Sequence, residues 1–288
     1  GNRMARVLDA EAIGAYRDDG FICPITMMSP EEARHCRDQL ESFEEEHGRV
    51  FSESREHAGE SLTGSYRFKS HLLMKWLADM VHHPRILDVV EDLIGPDLLC
   101  WTTHWFIKEV GTPHYVSWHQ DSNYWGLDTD CLVSVWLALS RSSADSGCVR
   151  VLPGSHTETT MIHIDTYHEH NMLTRGQEIR GIDEGAAVNL LVEPGEAAIF
   201  DYRLAHASYP NRSDDRRIGI GIRYIRPETR QKLRSWDSAM LVRGEDRYGH
   251  FELEPSPRCD FDPVTVEIHQ RADVAQREVY YADAPSSA

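Results

Sequence analysis

The chain has no unbroken apolar run near the roughly 18–20 residues that a membrane-spanning helix needs, so no membrane partner is expected. Positive charge is scarce. Thirty Lys and Arg stand against 47 Asp and Glu, a formal net charge of -17. Binding nucleic acid takes a concentrated basic surface, and none is expected as a partner. A small anion stays open, because a local Arg or Lys pair dominates inside a pocket. The six cysteines (Cys23, Cys36, Cys100, Cys131, Cys148, Cys259) include no C-x-x-C pair. They read as reduced thiols of a cytoplasmic protein, not a disulfide framework or a zinc site. Internal repeats and low-complexity tracts are missing too. Gly1-Asn2-Arg3-Met4 is too short and polar for a secretory signal and reads as a remnant ahead of a native Met4.

What is present fits a single soluble domain over 1–288: hydrophobic residues make up 41% and charged residues 27% of the chain. Residues 1–97 read as a mainly helical layer. Ser29-Pro30-Glu31-Glu32 has the form of a helix start, with Ser as cap and Pro at the first helical position. That helix should run towards His47. A second, His83 to Ile94, sets Ile86, Val89, Val90 and Leu93 on one face before Gly95-Pro96 ends it. Arg55 to Ser61 reads as loop.

From Leu98 the texture changes to short segments rich in Val, Ile, Thr and aromatics: Leu98–Lys108, Tyr115–Asp121, Cys131–Leu139, Cys148–Leu152, Ala197–Tyr202 and Ile218–Ile225. These predict a β-sandwich or barrel core over 98–227. Residues 157–186 interrupt it as a polar insertion, long enough to be a functional lid. Residues 228–288 form a charged extension with few strand signals and a frayed end at Ala284–Ala288.

The chemistry concentrates in Ser117-Trp118-His119-Gln120-Asp121. Residues two apart on a strand share a face, so His119 and Asp121 would offer an imidazole and a carboxylate to one ion. His206 follows the apolar strand Ala197–Phe200. Two histidines and a carboxylate form the facial set used by iron(II) oxygenases, which leaves positions open for co-substrate and oxygen. Zinc more often takes a closed set that includes Cys. Arg217 opens the alternating strand Ile218-Gly219-Ile220-Gly221-Ile222, eleven positions after His206. Its guanidinium could hold a carboxylate in bidentate fashion. Arg216 would then point to the opposite face, towards solvent. His163, His168 and His170 lie in the polar insertion and read as ordinary surface or lid histidines. Asp214-Asp215 and Glu44-Glu45-Glu46 read as solvated acidic surface.

These residues carry a family pattern. His119-x-Asp121, then Gly147 to His156 with its Pro153-Gly154-Ser155-His156 segment, then His206-Ala-Ser-x-Pro-Asn-x-Ser and Arg217, resembles the phytanoyl-CoA dioxygenase family of 2-oxoglutarate-dependent oxygenases. Val135-Trp136 and Tyr16-Arg17-Asp18-Asp19-Gly20-Phe21 match as well, and the likeness spans about Ala10 to Pro227.

The resemblance implies a mainly β fold with flanking helices, a double-stranded β-helix (jelly roll). It further implies Fe(II) on His119, Asp121 and His206, with 2-oxoglutarate as co-substrate and O2 as oxidant. Arg217 would bind the far carboxylate of 2-oxoglutarate, Trp136 would pack near it, and Thr103 would supply a polar contact. Lys108 matches a frequent family lysine or is a solvated strand end. Halogenases of the wider fold replace the carboxylate ligand with a small residue, so Asp121 favours hydroxylation, with release of succinate and CO2. Arg67 and Lys69 could steer an anionic group of a small-molecule substrate, and Trp125 could pack on an apolar or cationic one. The namesake's acyl-CoA substrate does not transfer with the fold. Two other readings compete: a catalytically silent jelly-roll protein binding metal or a small ligand, and a zinc or manganese cupin enzyme. Monomer and homodimer are both open.

Overall fold

The computed structural model describes residues 6–52, 65–158, 161–166, 168–173 and 177–280. The Arg55–Ser61 loop, the Gly1–Met4 start and the Ala284–Ala288 end lie outside the described residues, as do parts of the 157–186 insertion.

The helical layer begins with α1 (Ala10–Asp19), capped by the Asp9 side chain on Ala12 N–H. It ends at Gly20, whose φ of 86° is left-handed. A Cβ there would come within 2.6 Å of His156 and 2.8 Å of Leu204, so both conformation and space call for glycine. After β1 (Phe21–Thr26) comes α2 (Pro30–His47), where Ser29 Oγ accepts from Glu32 N–H at 3.1 Å, as the start signal predicts. α3 (Lys75–Val81) precedes α4 (Pro84–Ile94), which buries Ile86, Leu87, Val89, Val90 and Ile94.

The strands are β2 (Leu98–Lys108), β3 (Val116–His119), β4 (Val133–Ala138), β5 (Val149–Val151), β6 (His163–Asp165), β7 (Gln177–Ile179), β8 (Val188–Asn189), β9 (Glu196–Asp201), β10 (His206–Ser208), β11 (Arg217–Ile225), β12 (Ser238–Arg243) and β13 (Glu252–Leu253). One sheet has the order β1-β9-β4-β11-β2-β12-β13 and the other β3-β10-β5-β8, while β6 and β7 pair by themselves within the insertion. The result is a double-stranded β-helix with flanking helices. The charged extension holds more order than its composition suggests: besides β12 and β13 it forms α5 (Pro263–Tyr280). Asp262 Oδ1 accepts from Val264 N–H at 3.1 Å, and Asp262-Pro263 is a helix-start pair.

Alternation along β11 sorts the molecule into two cores. Ile218, Ile220 and Ile222, with Trp105, Ile107, Val135 and Leu137, face the helices and bury against Leu40, Leu77, Ile86 and Val89. Each such side chain contributes about 1.5–3 kcal/mol when fully buried. The opposite face of the large sheet meets the small one through Trp136, Ala138, Val149, Val151, Ala198, Phe200 and Leu204. The candidate site opens from this second layer. Among the described residues no helix is long and apolar enough to cross a membrane.

Candidate metal centre

His119 ends β3 and His206 opens β10, and the two are directly paired across that antiparallel ladder. Their ring centroids lie 4.2 Å apart. Asp121 does not continue the strand, as its spacing from His119 had suggested. It starts a one-turn 3-10 helix, Asp121–Asn123, and the turn still brings its carboxylate to the histidines. His119 Nε2 lies 2.9 Å from Asp121 Oδ1, and His206 Nε2 lies 3.6 Å from Oδ2. One donor atom from each of the three falls within 4.8 Å of the others, compact enough for one ion.

The other ring nitrogens fix what the set can hold. His119 Nδ1 lies 2.8 Å from Ser117 O, and His206 Nδ1 lies 2.9 Å from Leu204 O. A carbonyl requires a donor, so Nδ1 carries the proton in both rings and the Nε2 lone pairs face the Asp121 carboxylate. Lone pairs and a carboxylate converging in a buried space repel unless a cation lies between them. The donor set therefore fits a divalent metal. Burial alone would raise the Asp121 carboxyl, but attraction to the His206 and His119 rings when they are protonated, with Arg223 adding to it, sets it below the usual carboxylate range. Burial lowers His206 to about 4 against the opposing pull of Asp121, which keeps the ring neutral and ready to ligate.

Neighbouring motif residues act as a frame. Gln120 Nε2 donates to Glu158 O at 3.0 Å and to Arg203 O at 2.8 Å, tying the metal turn to the segment ahead of His206. Ser155 Oγ accepts from Ala205 N–H at 2.8 Å and donates to Leu152 O, and His156 Nε2 lies 2.7 Å from Arg17 O. The Pro-Gly-Ser-His segment thus clamps β5, α1 and the approach to His206 together. His163 Nε2 accepts from Gln120 N–H at 3.0 Å, and its ring meets Tyr124 edge-on, so the insertion is anchored beside Asp121.

Arg217 is 1% exposed and stacks on Trp136, with Cζ 5.1 Å from the ring centroid. It donates to Gly147 O and to Phe106 O. Its cross-strand neighbour Lys108 is buried, not a solvated strand end, and donates to Ser208 Oγ at 2.6 Å. Trp136 lies over Gly219, where a Cβ would meet the ring at 2.0 Å. Arg216 does sit on the opposite face, but it is not solvated. It is 5% exposed and pairs with Glu44 at 2.5 Å and Glu109 at 2.6 Å. Glu44, expected as solvated surface, is buried with it, because α2 packs over that end of β11.

Two sequence candidates lie away from the triad. Thr103 is paired with Ile222 and so faces the helices, where its hydroxyl lies 2.9 Å from His71 Nδ1. Lys69 is buried against Glu254 at 2.6 Å and Ser238 Oγ at 3.1 Å. Both belong to a charged cluster that staples the C-terminal extension to the barrel. Arg67 is half-buried and acts on His104, whose ring burial, Arg67 and Arg223 together hold well below its usual pKa. Trp125 stacks on Arg223, with Cζ 4.9 Å from the ring centroid. Arg223 was missed in the sequence, although Arg217-Ile-Gly-Ile-Gly-Ile-Arg223 alternates so that both arginines share the inward face.

Fold and site together define a 2-oxoglutarate-dependent non-haem iron dioxygenase. The profile described as "Phytanoyl-CoA dioxygenase (PhyH)" matches residues 16–219, and the chain belongs to that family. It is 25% identical over 224 residues to the ectoine dioxygenase of Nocardia farcinica, which covers 70% of this chain and 72% of that one. Among solved structures, a non-heme monooxygenase, ThoJ in its apo form, superposes with a TM-score of 0.80 at 32% identity, covering 94% and 98% of the two chains. CytC3 with Fe(II) and alpha-ketoglutarate shares the fold with a TM-score of 0.63 at 24% identity, covering 88% and 96%.

Proposed function

We propose that the chain hydroxylates a C–H bond of a small molecule, with iron(II) held by His119, Asp121 and His206. The observation that carries this assignment is the convergence of two Nε2 lone pairs and a carboxylate, each ring fixed from behind by a backbone carbonyl. Iron(II) with 2-oxoglutarate and O2 supplies the oxidising power. One oxygen atom goes to the substrate and the other to succinate, with loss of CO2.

The chain's own residues bind, orient and exclude water. Arg217 holds the far carboxylate of 2-oxoglutarate, and Trp136 braces that guanidinium from one side. Lys108 adds positive charge at the same buried end. Gln120 and Ser155 keep the ligand-bearing turn and the approach to His206 in register. Trp125 and Arg67 border the substrate side, and His163 ties its part of the insertion to Gln120, next to Asp121. We read 98–227 as the catalytic core, with the described residues of 1–97 and 228–288 packed on it in a single oxygenase domain. A catalytically silent binding protein is not favoured, since the chain belongs to a dioxygenase family and keeps both triad and Arg217.

Anaerobic titration tests this reading. Iron(II) followed by 2-oxoglutarate should produce the visible charge-transfer band of a chelated 2-oxo acid. His206→Ala should abolish the band while leaving the circular dichroism of the fold unchanged. An unchanged band in His206→Ala would remove the ligand assignment.

A further inference from the structure

We propose that Arg223, with Ser134 beside it, is a second anion-binding position that receives an acidic group of the primary substrate. The inference rests on the dioxygenase reading above and narrows its substrate class to small molecules bearing a carboxylate or a similar oxyanion.

Arg223 shares the inward face of β11 with Arg217, and only glycines, Gly219 and Gly221, intervene on that face. Each guanidinium has its own aromatic slot. Arg217 lies on Trp136, whereas Arg223 lies between Phe106, 5.5 Å from the ring centroid, and Trp125, 4.9 Å away. Arg223 is 8% exposed, makes no ion pair among the described residues, and its Nε has no hydrogen-bond acceptor. Its cross-strand neighbour on β4 is Ser134, 2% exposed, whose hydroxyl also lacks a partner.

Two adjacent buried donors without acceptors are costly unless a ligand completes them. The contrast with the other buried cations is sharp. Arg216 has Glu44 and Glu109, and Lys69 has Glu254. Asp121 acts on Arg223 electrostatically without pairing with it, and its carboxylate is committed to the metal set. Arg217 already serves the far carboxylate of 2-oxoglutarate. Trp125 and Arg67, both half-buried, flank the Arg223 side, whereas Arg217 and Lys108 are fully enclosed. The co-substrate end is therefore the deep one, and Arg223 lies on the side from which a substrate enters. Gly221 keeps the space clear: a Cβ there would stand 3.1 Å from the Phe106 ring and 3.4 Å from the Arg223 Cζ.

The test uses the intact protein loaded with Zn(II) and N-oxalylglycine, a non-reacting analogue of 2-oxoglutarate, and acetate as probe with acetamide as its neutral match. The readout is the Arg223 Nε–H resonance, assigned by its contacts to Trp125 and by its loss in Arg223→Lys. Acetate should shift that resonance saturably while acetamide leaves it in place, and Gly221→Ala should weaken the acetate response at least about tenfold. No saturable shift, or equal shifts with both probes, overturns the proposal. A shift seen only without N-oxalylglycine overturns it too, because Arg223 would then serve the co-substrate. Loading is checked first by calorimetry, so failure of the dioxygenase reading appears as absent Zn(II) or N-oxalylglycine binding. Acetate is then titrated into the metal-free protein and judged by the same acetate-against-acetamide criterion.

Discussion

His206 stands directly across the β3–β10 ladder from His119, and each ring is locked by its own Nδ1 proton on the carbonyl two residues earlier. This cross-strand pair sets both Nε2 atoms before Asp121 is added. Replacing either histidine with Ala should lower cobalt(II) affinity by on the order of 100-fold or more. The unfolding midpoint of the metal-free protein should barely move. Cobalt absorption titrated against wild type measures the first, and a thermal melt the second.

Arg216 and Arg217 are adjacent in sequence and opposite in role. Arg217→Ala should raise the KM for 2-oxoglutarate by roughly 10- to 100-fold, the worth of lost hydrogen bonds to a charged group. Metal affinity should stay the same. Arg216→Ala should leave that KM alone and cost about 3 kcal/mol of stability, because Glu44 would remain buried without its cation. Steady-state kinetics and urea denaturation on both variants separate the effects. An exchange of the two outcomes would mean the inward face of β11 is misassigned.

Gly219→Ala tests the packing beneath the co-substrate end. Its Cβ would strike Trp136, whose ring would have to leave the Arg217 guanidinium. Overpacking of this kind costs about 1–3 kcal/mol, and the KM for 2-oxoglutarate should rise together with the loss of stability. A variant as stable as wild type with unchanged KM would show that Trp136 does not brace Arg217.

The buried cluster of Lys69, His71 and Glu254 makes stability pH-dependent. Burial pushes the Glu254 carboxyl up, but Lys69 and His71 outweigh it and lower it to about 2. The unfolded carboxyl holds its proton from about pH 4.5 downward. Between that value and about 2 the unfolded state therefore binds more protons, and stability falls as the pH falls. Glu254→Gln should flatten this part of the curve. It should also destabilise the protein by about 3–5 kcal/mol near neutrality, since Lys69 would be left buried and unpaired. Urea midpoints from pH 6 down to 3 check both effects.

Local signals made much of this molecule legible. Ser29-Pro30 fixed the start of α2, and the Val- and Ile-rich segments marked β2, β4, β9 and β11 to within two residues. His119, Asp121, His206 and Arg217 could be found because each sits in a short motif with fixed spacing. What failed depends on contacts distant in sequence. Lys69 and Thr103 looked like pocket residues until Glu254 and His71 were seen to claim them. Arg216 looked solvated because Glu44 lies 172 positions away. Arg223 needed the register of β11 against β4 and β2, which places Ser134 and Phe106 around it. Nothing in the composition of 228–288 announced α5, apart from the Asp262-Pro263 pair that opens it.

The central claim is turnover of 2-oxoglutarate at this triad. Succinate formation, measured with iron(II), ascorbate and O2 across a panel of small carboxylic acids, tests it most directly. The account predicts that at least one acid stimulates succinate release, one hydroxylated product forming per succinate, and that Asp121→Ala abolishes both. Equal succinate from wild type and Asp121→Ala, or binding of neither iron(II) nor 2-oxoglutarate by the wild type, would contradict it.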